Sequence, residues 1–137
     1  MNEKTTAPYR HKSVLLVDDN EIDNFINERI INSSGFAEEV IVKNSSDSAI
    51  DYLKQQENKT DGLPGIIFLD LNMPVKDGFV FLQDFDKLTA EVKEKCKVIV
   101  LSSSISPDDI NRASTNPYVH KYINKPLSEK YLEAVNV

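Results

Sequence analysis

Five side chains with chemistry to offer stand directly behind apolar blocks. Val14–Val17 runs into Asp18-Asp19, Ile66–Leu69 into Asp70, and Val98–Leu101 into Ser102-Ser103-Ser104, while Val119–Ile123 leads to Lys125-Pro126. An acid that ends a buried apolar strand needs a partner, because an unpaired charge in a low dielectric is costly. Three carboxylates brought to one small area would also repel. Two unit charges about 5 Å apart at an effective dielectric of 20 cost roughly 3 kcal/mol. Something positive must offset that, and an all-oxygen ligand set suits Mg²⁺ rather than zinc. Lys125 supplies a second, mobile positive charge able to pair with a phosphoryl oxygen, and Ser102 can donate a hydrogen bond to the same group. Metal, ammonium and hydroxyl around a carboxylate make a site for moving a phosphoryl group onto that carboxylate.

The elements that must position these residues alternate along the chain. Val14–Val17, Ile66–Leu69 and Val98–Leu101 are short, rich in β-branched residues and read as strands buried on both faces. Val119–Ile123 reads as a further strand and Ala37–Val42 as a weaker one. Ile22, Phe25, Ile26, Ile30 and Ile31 predict one apolar face of a helix that Gly35 ends. Ala49, Ile50 and Leu53 mark a second helix capped by Ser45 or Ser46, and Phe79, Leu82, Phe85, Leu88 and Val92 a third. Ser106-Pro107-Asp108-Asp109 opens a fourth, with a capping serine, proline at the first helical position and two acids on the dipole. Ser128 opens a last helix, with room for about ten residues, that reaches the C-terminus. Five strands and five helices in strict alternation predict an α/β fold, a doubly wound parallel sheet with right-handed crossovers. In such sheets function collects at the carboxyl ends of the strands, where the five side chains stand.

Whole-chain properties narrow the function. The 137 residues, 40% hydrophobic and 28% charged, suit one globular domain. A net charge of -6 argues against a nucleic-acid surface, which needs lysine and arginine against phosphates. No apolar stretch is long enough to span a bilayer, and the polar segment 1–12, expected to be a flexible arm before a domain at 13–137, has no signal-peptide core. The single cysteine, Cys96, permits no internal bridge and points to a reducing cytoplasm. The Asn-x-Ser/Thr matches at Asn32, Asn44 and Asn58 are then chance occurrences, and His11 and His120, without metal spacing, are expected at the surface.

Val17-Asp18-Asp19, Asp70-Leu71-Asn72-Met73-Pro74 with Asp77-Gly78, the serine after Val98–Leu101, and Tyr122-Ile123-Asn124-Lys125-Pro126 together resemble the receiver domain of two-component response regulators. The resemblance spans Ser13 to about Val135, and its four motifs occur in the right order, each at a strand end. It implies a flavodoxin-like sheet of order 2-1-3-4-5 acting as a single-domain, cytoplasmic phosphorelay protein. Asp70 would be the phosphoacceptor; Asp19 and Asp70 would bind Mg²⁺ directly, Asp18 through water and Asn72 through its backbone carbonyl. Ser102 would be the hydroxyl switch, Lys125 the phosphate-pairing lysine and Tyr122 the aromatic rotamer switch, swinging inward on phosphorylation. The family typically has a cis bond where this chain has Lys125-Pro126. The phosphoryl donor would be a phosphohistidine on a sensor histidine kinase or histidine phosphotransfer protein. Output would be a downstream protein docked on the 107–137 face, with a phosphorylation-dependent dimer as one further form. Catalysis would be limited to the domain's own phosphorylation and dephosphorylation.

Plainer readings stand beside these. Asp18-Asp19 could cap the first helix, Tyr122 could be a half-buried edge residue, and Ser103 and Ser104 could simply be loop. A phosphatase working through an aspartyl phosphate would want an acid two residues beyond the nucleophile, where this chain has Asn72. An EF-hand fails on Pro74 and on the missing glycine and glutamate. A degenerate receiver that only scaffolds is hard to reconcile with the intact Asp19, Asp70, Ser102 and Lys125 set.

Overall fold

The computed structural model describes residues 9–59 and 61–135. The chain runs β1 (His11–Val17), α1 (Glu21–Ser34), β2 (Ala37–Lys43), α2 (Ser46–Gln56), β3 (Ile66–Leu69), α3 (Gly78–Asp86), α4 (Ala90–Lys95), β4 (Lys97–Ser102), α5 (Pro107–Ser114), β5 (Val119–Asn124) and α6 (Glu129–Ala134). All neighbouring strands pair in parallel, in the order β2-β1-β3-β4-β5. The expected fold and strand order are those observed.

The three apolar blocks form the centre of the sheet because they have no polar face to offer water. Along β1, Leu15 and Val17 join the helices α2, α3 and α4 on one side, while Val14 and Leu16 join α1 and α6 on the other. Ile67 and Leu69 against Ile66 and Phe68 repeat the alternation on β3, as the two-residue period of a strand requires. A smaller cluster of Leu71, Val100 and Ala113 seats α5 near the end of β4. The weak signal of β2 has a simple cause: it is the sheet edge, and Glu38 and Glu39 face solvent. Arg10 donates from its guanidinium to the carbonyls of Leu132 and Val135, tying the start of the chain to the end of α6.

The termini of the helices follow the sequence closely. Gly35, at φ 74°, closes α1 in the left-handed region, and Ser45, Ser106 and Ser128 cap α2, α5 and α6. The Lys125-Pro126 bond is cis.

Five expectations are corrected. The third helix is two: α3 stops at Asp86, and the Thr89 hydroxyl accepts the Val92 N–H to start α4 afresh. Leu88 and Val92 are both buried, so the apolar spacing runs on through the break and hides it, and six helices replace the expected five. On α1 the inward stripe is Asn24, Asn27 and Ile31; Ile22, Phe25 and Ile26 are 71%, 62% and 44% exposed. The buried Asn24 donates from its side-chain amide to the Asp18 carbonyl at 2.8 Å, tying α1 to the end of β1. His11 is a strand residue rather than a surface one, its ring 4.9 Å from that of Phe36. Burial and then the Arg10 charge lower its pKa. The strand therefore begins inside the expected arm, of which residues 1–8 lie outside those described. Finally, α6 ends at Ala134, short of the C-terminus.

Gly78, the first residue of α3, is where the helix meets the site. A Cβ there would lie 2.8 Å from both the Asp70 carbonyl oxygen and the Leu71 Cα, and its N–H donates to the Leu71 carbonyl at 2.9 Å. Both clashes are with backbone, so Gly78→Ala should cost about 1–3 kcal/mol in urea denaturation, as overpacking does. A neutral or stabilising effect would contradict this packing.

Candidate functional site

At the carboxyl edge of the sheet, β1 delivers Asp18 and Asp19, β3 delivers Asp70, β4 ends in Ser102, and β5 leads to Lys125. Carboxylate oxygens of Asp18, Asp19 and Asp70 lie within 4.8 Å of one another. Asp18 and Asp70 are buried while Asp19 is exposed. The Lys125 ammonium is 2.7 Å from Asp18 Oδ2 and 3.7 Å from Asp70 Oδ1. Its backbone N–H donates to the Ser102 carbonyl at 2.9 Å, which anchors the loop that carries it. The structure thus brings together Asp18, Asp19, Asp70 and Lys125, with Ser102 fully buried at the neighbouring strand end. Asn72, two residues beyond Asp70, presents its backbone N–H to the Asp70 carboxylate. Helix capping, the plainer role for the acid pair, falls to Asn20, which accepts the Asp23 N–H while its own N–H donates to Asp18.

Burial, and next the charge of Asp18, push the Asp70 carboxyl up to about 6; the Lys125 charge and the Asn72 N–H oppose them. Lys125 is shifted the other way. Burial lowers its pKa, but hydrogen bonds to Asp18 and Asp23 together with the charges of Asp70 and Asp18 outweigh that and the net direction is upward, keeping the ammonium charged. The donor set suits a hard divalent cation: three carboxylates converge, and Asp70 Oδ1 is buried without a hydrogen-bond partner among the described residues. The loop between β3 and α3 contains one unusual backbone conformation. Val75 sits at φ 67°, a conformation that costs a β-branched residue on the order of 1–3 kcal/mol.

Two participants carry no motif. Asp23, in the first turn of α1, lies 2.7 Å from the Lys125 ammonium. The sequence offers only an acid where helix dipoles favour one. Ser104 is a junction rather than simple loop. Its N–H donates to Ser102 Oγ, its hydroxyl donates to Asp109 on α5, and its carbonyl accepts from Tyr122 Oη at 2.9 Å and Asn124 Nδ2 at 3.0 Å. Tyr122 is half-buried against the Leu71, Val100 and Ala113 cluster, with its hydroxyl donating to the Ser104 carbonyl. Cys96 is buried, and burial pushes its thiol up to about 12, which suits the structural reading.

The Asp70 shift sets a sign for stability. Its ordinary value is 3.8 and its folded value about 6, so the folded state holds the proton more tightly. The favourable contribution is complete below pH 3.8 and is lost as pH rises through about 6. Asp70→Asn should therefore stabilise the metal-free protein by about 2–3 kcal/mol at pH 8, but by only about 0.5 kcal/mol at pH 4. Urea denaturation in a chelating buffer measures both, and an equal gain at the two pH values would refute the electrostatic account.

A sequence model described as the response regulator receiver domain matches residues 14–136. Response regulator Rcp1 of Synechocystis is 32% identical over 133 residues, covering 96% of this chain and 86% of its own length. Its Mn²⁺-bound crystal structure matches with a TM-score of 0.72 at 28% identity over 90% of each chain. A two-component response regulator from Cytophaga hutchinsonii superposes with a TM-score of 0.82 at 35% identity, over 89% of this chain and 91% of the other. The phosphorylated cyanobacterial phytochrome response regulator RcpA gives 0.69 at 35% identity, over 89% and 86%. No helix among the described residues is long and apolar enough to cross a membrane. The chain belongs to the response regulator receiver domain family, the phosphoaccepting signalling domains of two-component systems.

Proposed function

We propose that Asp70 accepts the phosphoryl group, taking it from a phosphohistidine on a sensor histidine kinase or a histidine phosphotransfer protein. The observation that carries this reading is a buried carboxylate, Asp70, set among two further acids and a charged lysine at the carboxyl edge of a parallel sheet. In the transfer an Asp70 oxygen forms the bond to phosphorus as the bond from phosphorus to the donor imidazole breaks, and the imidazole leaves with the electron pair. Asp19, Asp70 and the Asn72 carbonyl, with Asp18 through water, would hold Mg²⁺. When bound, the ion supplies the positive charge that offsets the gathered carboxylates and the incoming phosphoryl oxygens. Lys125, 3.7 Å from Asp70, stands on the side from which it can reach a phosphoryl oxygen, and the Ser102 hydroxyl is the neutral donor on the adjacent strand.

The phosphatase alternative lacks its acid, since Asn72 can neither donate nor accept a proton in that role. Signalling then runs through shape. Phosphorylation adds negative charge and strong acceptors at Asp70, drawing Ser102 and with it the Ser104 junction. The surface beyond that junction, from Pro107 on α5 through β5 to α6, mixes Asp108, Asp109 and Glu133 with Arg112, Lys121 and Lys130. That mixture suits a protein partner selected by charge complementarity rather than a nucleic acid.

Acetyl phosphate with Mg²⁺ should add the mass of a single phosphoryl group to the intact protein, and leaving out the metal or substituting Asp70→Asn should prevent it. Phosphorylation of the Asp70→Asn protein to the same extent would overturn the assignment.

A further inference from the structure

Three acids compete for the one ammonium at the site, and only two hold it. The Lys125 Nζ is 2.7 Å from Asp18 Oδ2 and 2.7 Å from Asp23 Oδ2, against 3.7 Å to Asp70 Oδ1. Asp23 is fixed in place for this contact. Its N–H is capped by Asn20 Oδ1 at 2.9 Å, and the next residue, Asn24, is bonded to the Asp18 carbonyl at 2.8 Å. The acid therefore moves with the same loop that carries Asp18 and Asp19. Lys125 is pinned from the other side through its N–H to the Ser102 carbonyl. The Asp23–Lys125 pair is a bridge from the first turn of α1 to the loop after β5.

The ammonium has three N–H donors, two of them spent on Asp18 and Asp23, and at 3.7 Å it stands short of hydrogen-bond distance to Asp70, so closing on an oxygen there draws it off one of the two bonded acids. Of the two bonded acids, Asp18 is 2% exposed and Asp23 is 35% exposed. Stripping the cation from the buried acid leaves an uncompensated charge away from water, whereas the half-exposed acid is rehydrated when it lets go. Release therefore falls on Asp23.

We infer that Asp23 is a positioning residue of the phosphoryl-transfer site, a latch that holds the Lys125 ammonium toward α1 and gives it up when Asp70 carries a phosphoryl group. The inference rests on the reading of Asp70 as the acceptor. It gives α1 a part in the reaction: the carboxylate freed by phosphorylation lies on the helix whose Ile22, Phe25 and Ile26 face solvent.

The test compares wild type, Asp23→Asn, Asp23→Glu, Lys125→Ala and the Asp23→Asn/Lys125→Ala double variant, phosphorylated by acetyl phosphate at saturating Mg²⁺ and followed by intact mass. Asp23→Asn keeps the shape and removes the charge, so phosphorylation should run about three- to tenfold faster, the range open to an ion pair between exposed and buried settings. Asp23→Glu should return toward the wild-type rate, and the asparagine effect should vanish in the Lys125→Ala background. In wild type loaded with beryllofluoride, the Asp23 carboxyl carbon should shift in NMR spectra while that of the corresponding side chain in Lys125→Ala stays put. An Asp23→Asn rate within twofold of wild type, or an effect that persists without Lys125, overturns the latch. A wild-type protein that takes no phosphoryl group overturns the acceptor reading, and the latch with it.

Discussion

The ammonium of Lys125 is the charge on which the carboxyl edge of this molecule depends. Asp18 and Asp70 are both buried, and their carboxylates lie close enough to repel. Without a cation between them the sheet would present uncompensated negative charge at the ends of its two central strands. The lysine starts from the far side of the sheet: β1 and β5 are separated by β3 and β4, a span of about 14 Å at ordinary strand spacing. Only a long stem on a loop turned back over the edge can cover it, and the bond from the Lys125 N–H to the Ser102 carbonyl directs that loop. The same geometry explains why Asp70 remains hard to ionise. The cation sits nearer Asp18 and Asp23 than Asp70, so burial and the Asp18 charge prevail over it.

Much of this was legible in the residues themselves. Short β-branched blocks could only be central strands, and each ended in a polar residue at the edge where parallel sheets gather function. Where reading failed, a specific contact had overridden a pattern. The α1 periodicity was real, but the side facing the sheet carries Asn24, whose side-chain amide donates to the Asp18 carbonyl, with Asn27 and Ile31. An apolar count cannot see that, because asparagine on a helix ordinarily reads as solvent-facing. The break after Asp86 was hidden for a different reason. Leu88 packs inward from the connecting turn, so the spacing carries on through a segment that is not helical.

Asp23 and Ser104 were invisible for a third reason. Both are common residue types in ordinary places, a first helical turn and a loop, and their importance comes only from what the fold brings to them. The bond between Asp23 and Lys125 joins residues 102 positions apart, and that between Tyr122 and the Ser104 carbonyl joins residues 18 apart. Local sequence holds no trace of such meetings, whereas a strand-end acid announces itself through the apolar block before it.

Ser104 also shows how a small motion can travel. The Ser102 hydroxyl accepts the Ser104 N–H and still has its own proton to donate, so it can bond a phosphoryl oxygen without surrendering the loop. Turning toward Asp70 would then drag the Ser104 backbone rather than release it. That backbone carries a carbonyl held by two side chains of β5, Tyr122 and Asn124, and its hydroxyl is bonded to Asp109 in the first turn of α5. A displacement of one peptide unit would thereby be imposed on a strand and a helix together. Tyr122 packs against Leu71, Val100 and Ala113 and holds that carbonyl, so it stands in direct contact with the peptide unit that would move. Coupling of this kind needs no large rearrangement, because tightly packed interfaces respond to sub-ångström shifts by changing partners rather than deforming smoothly.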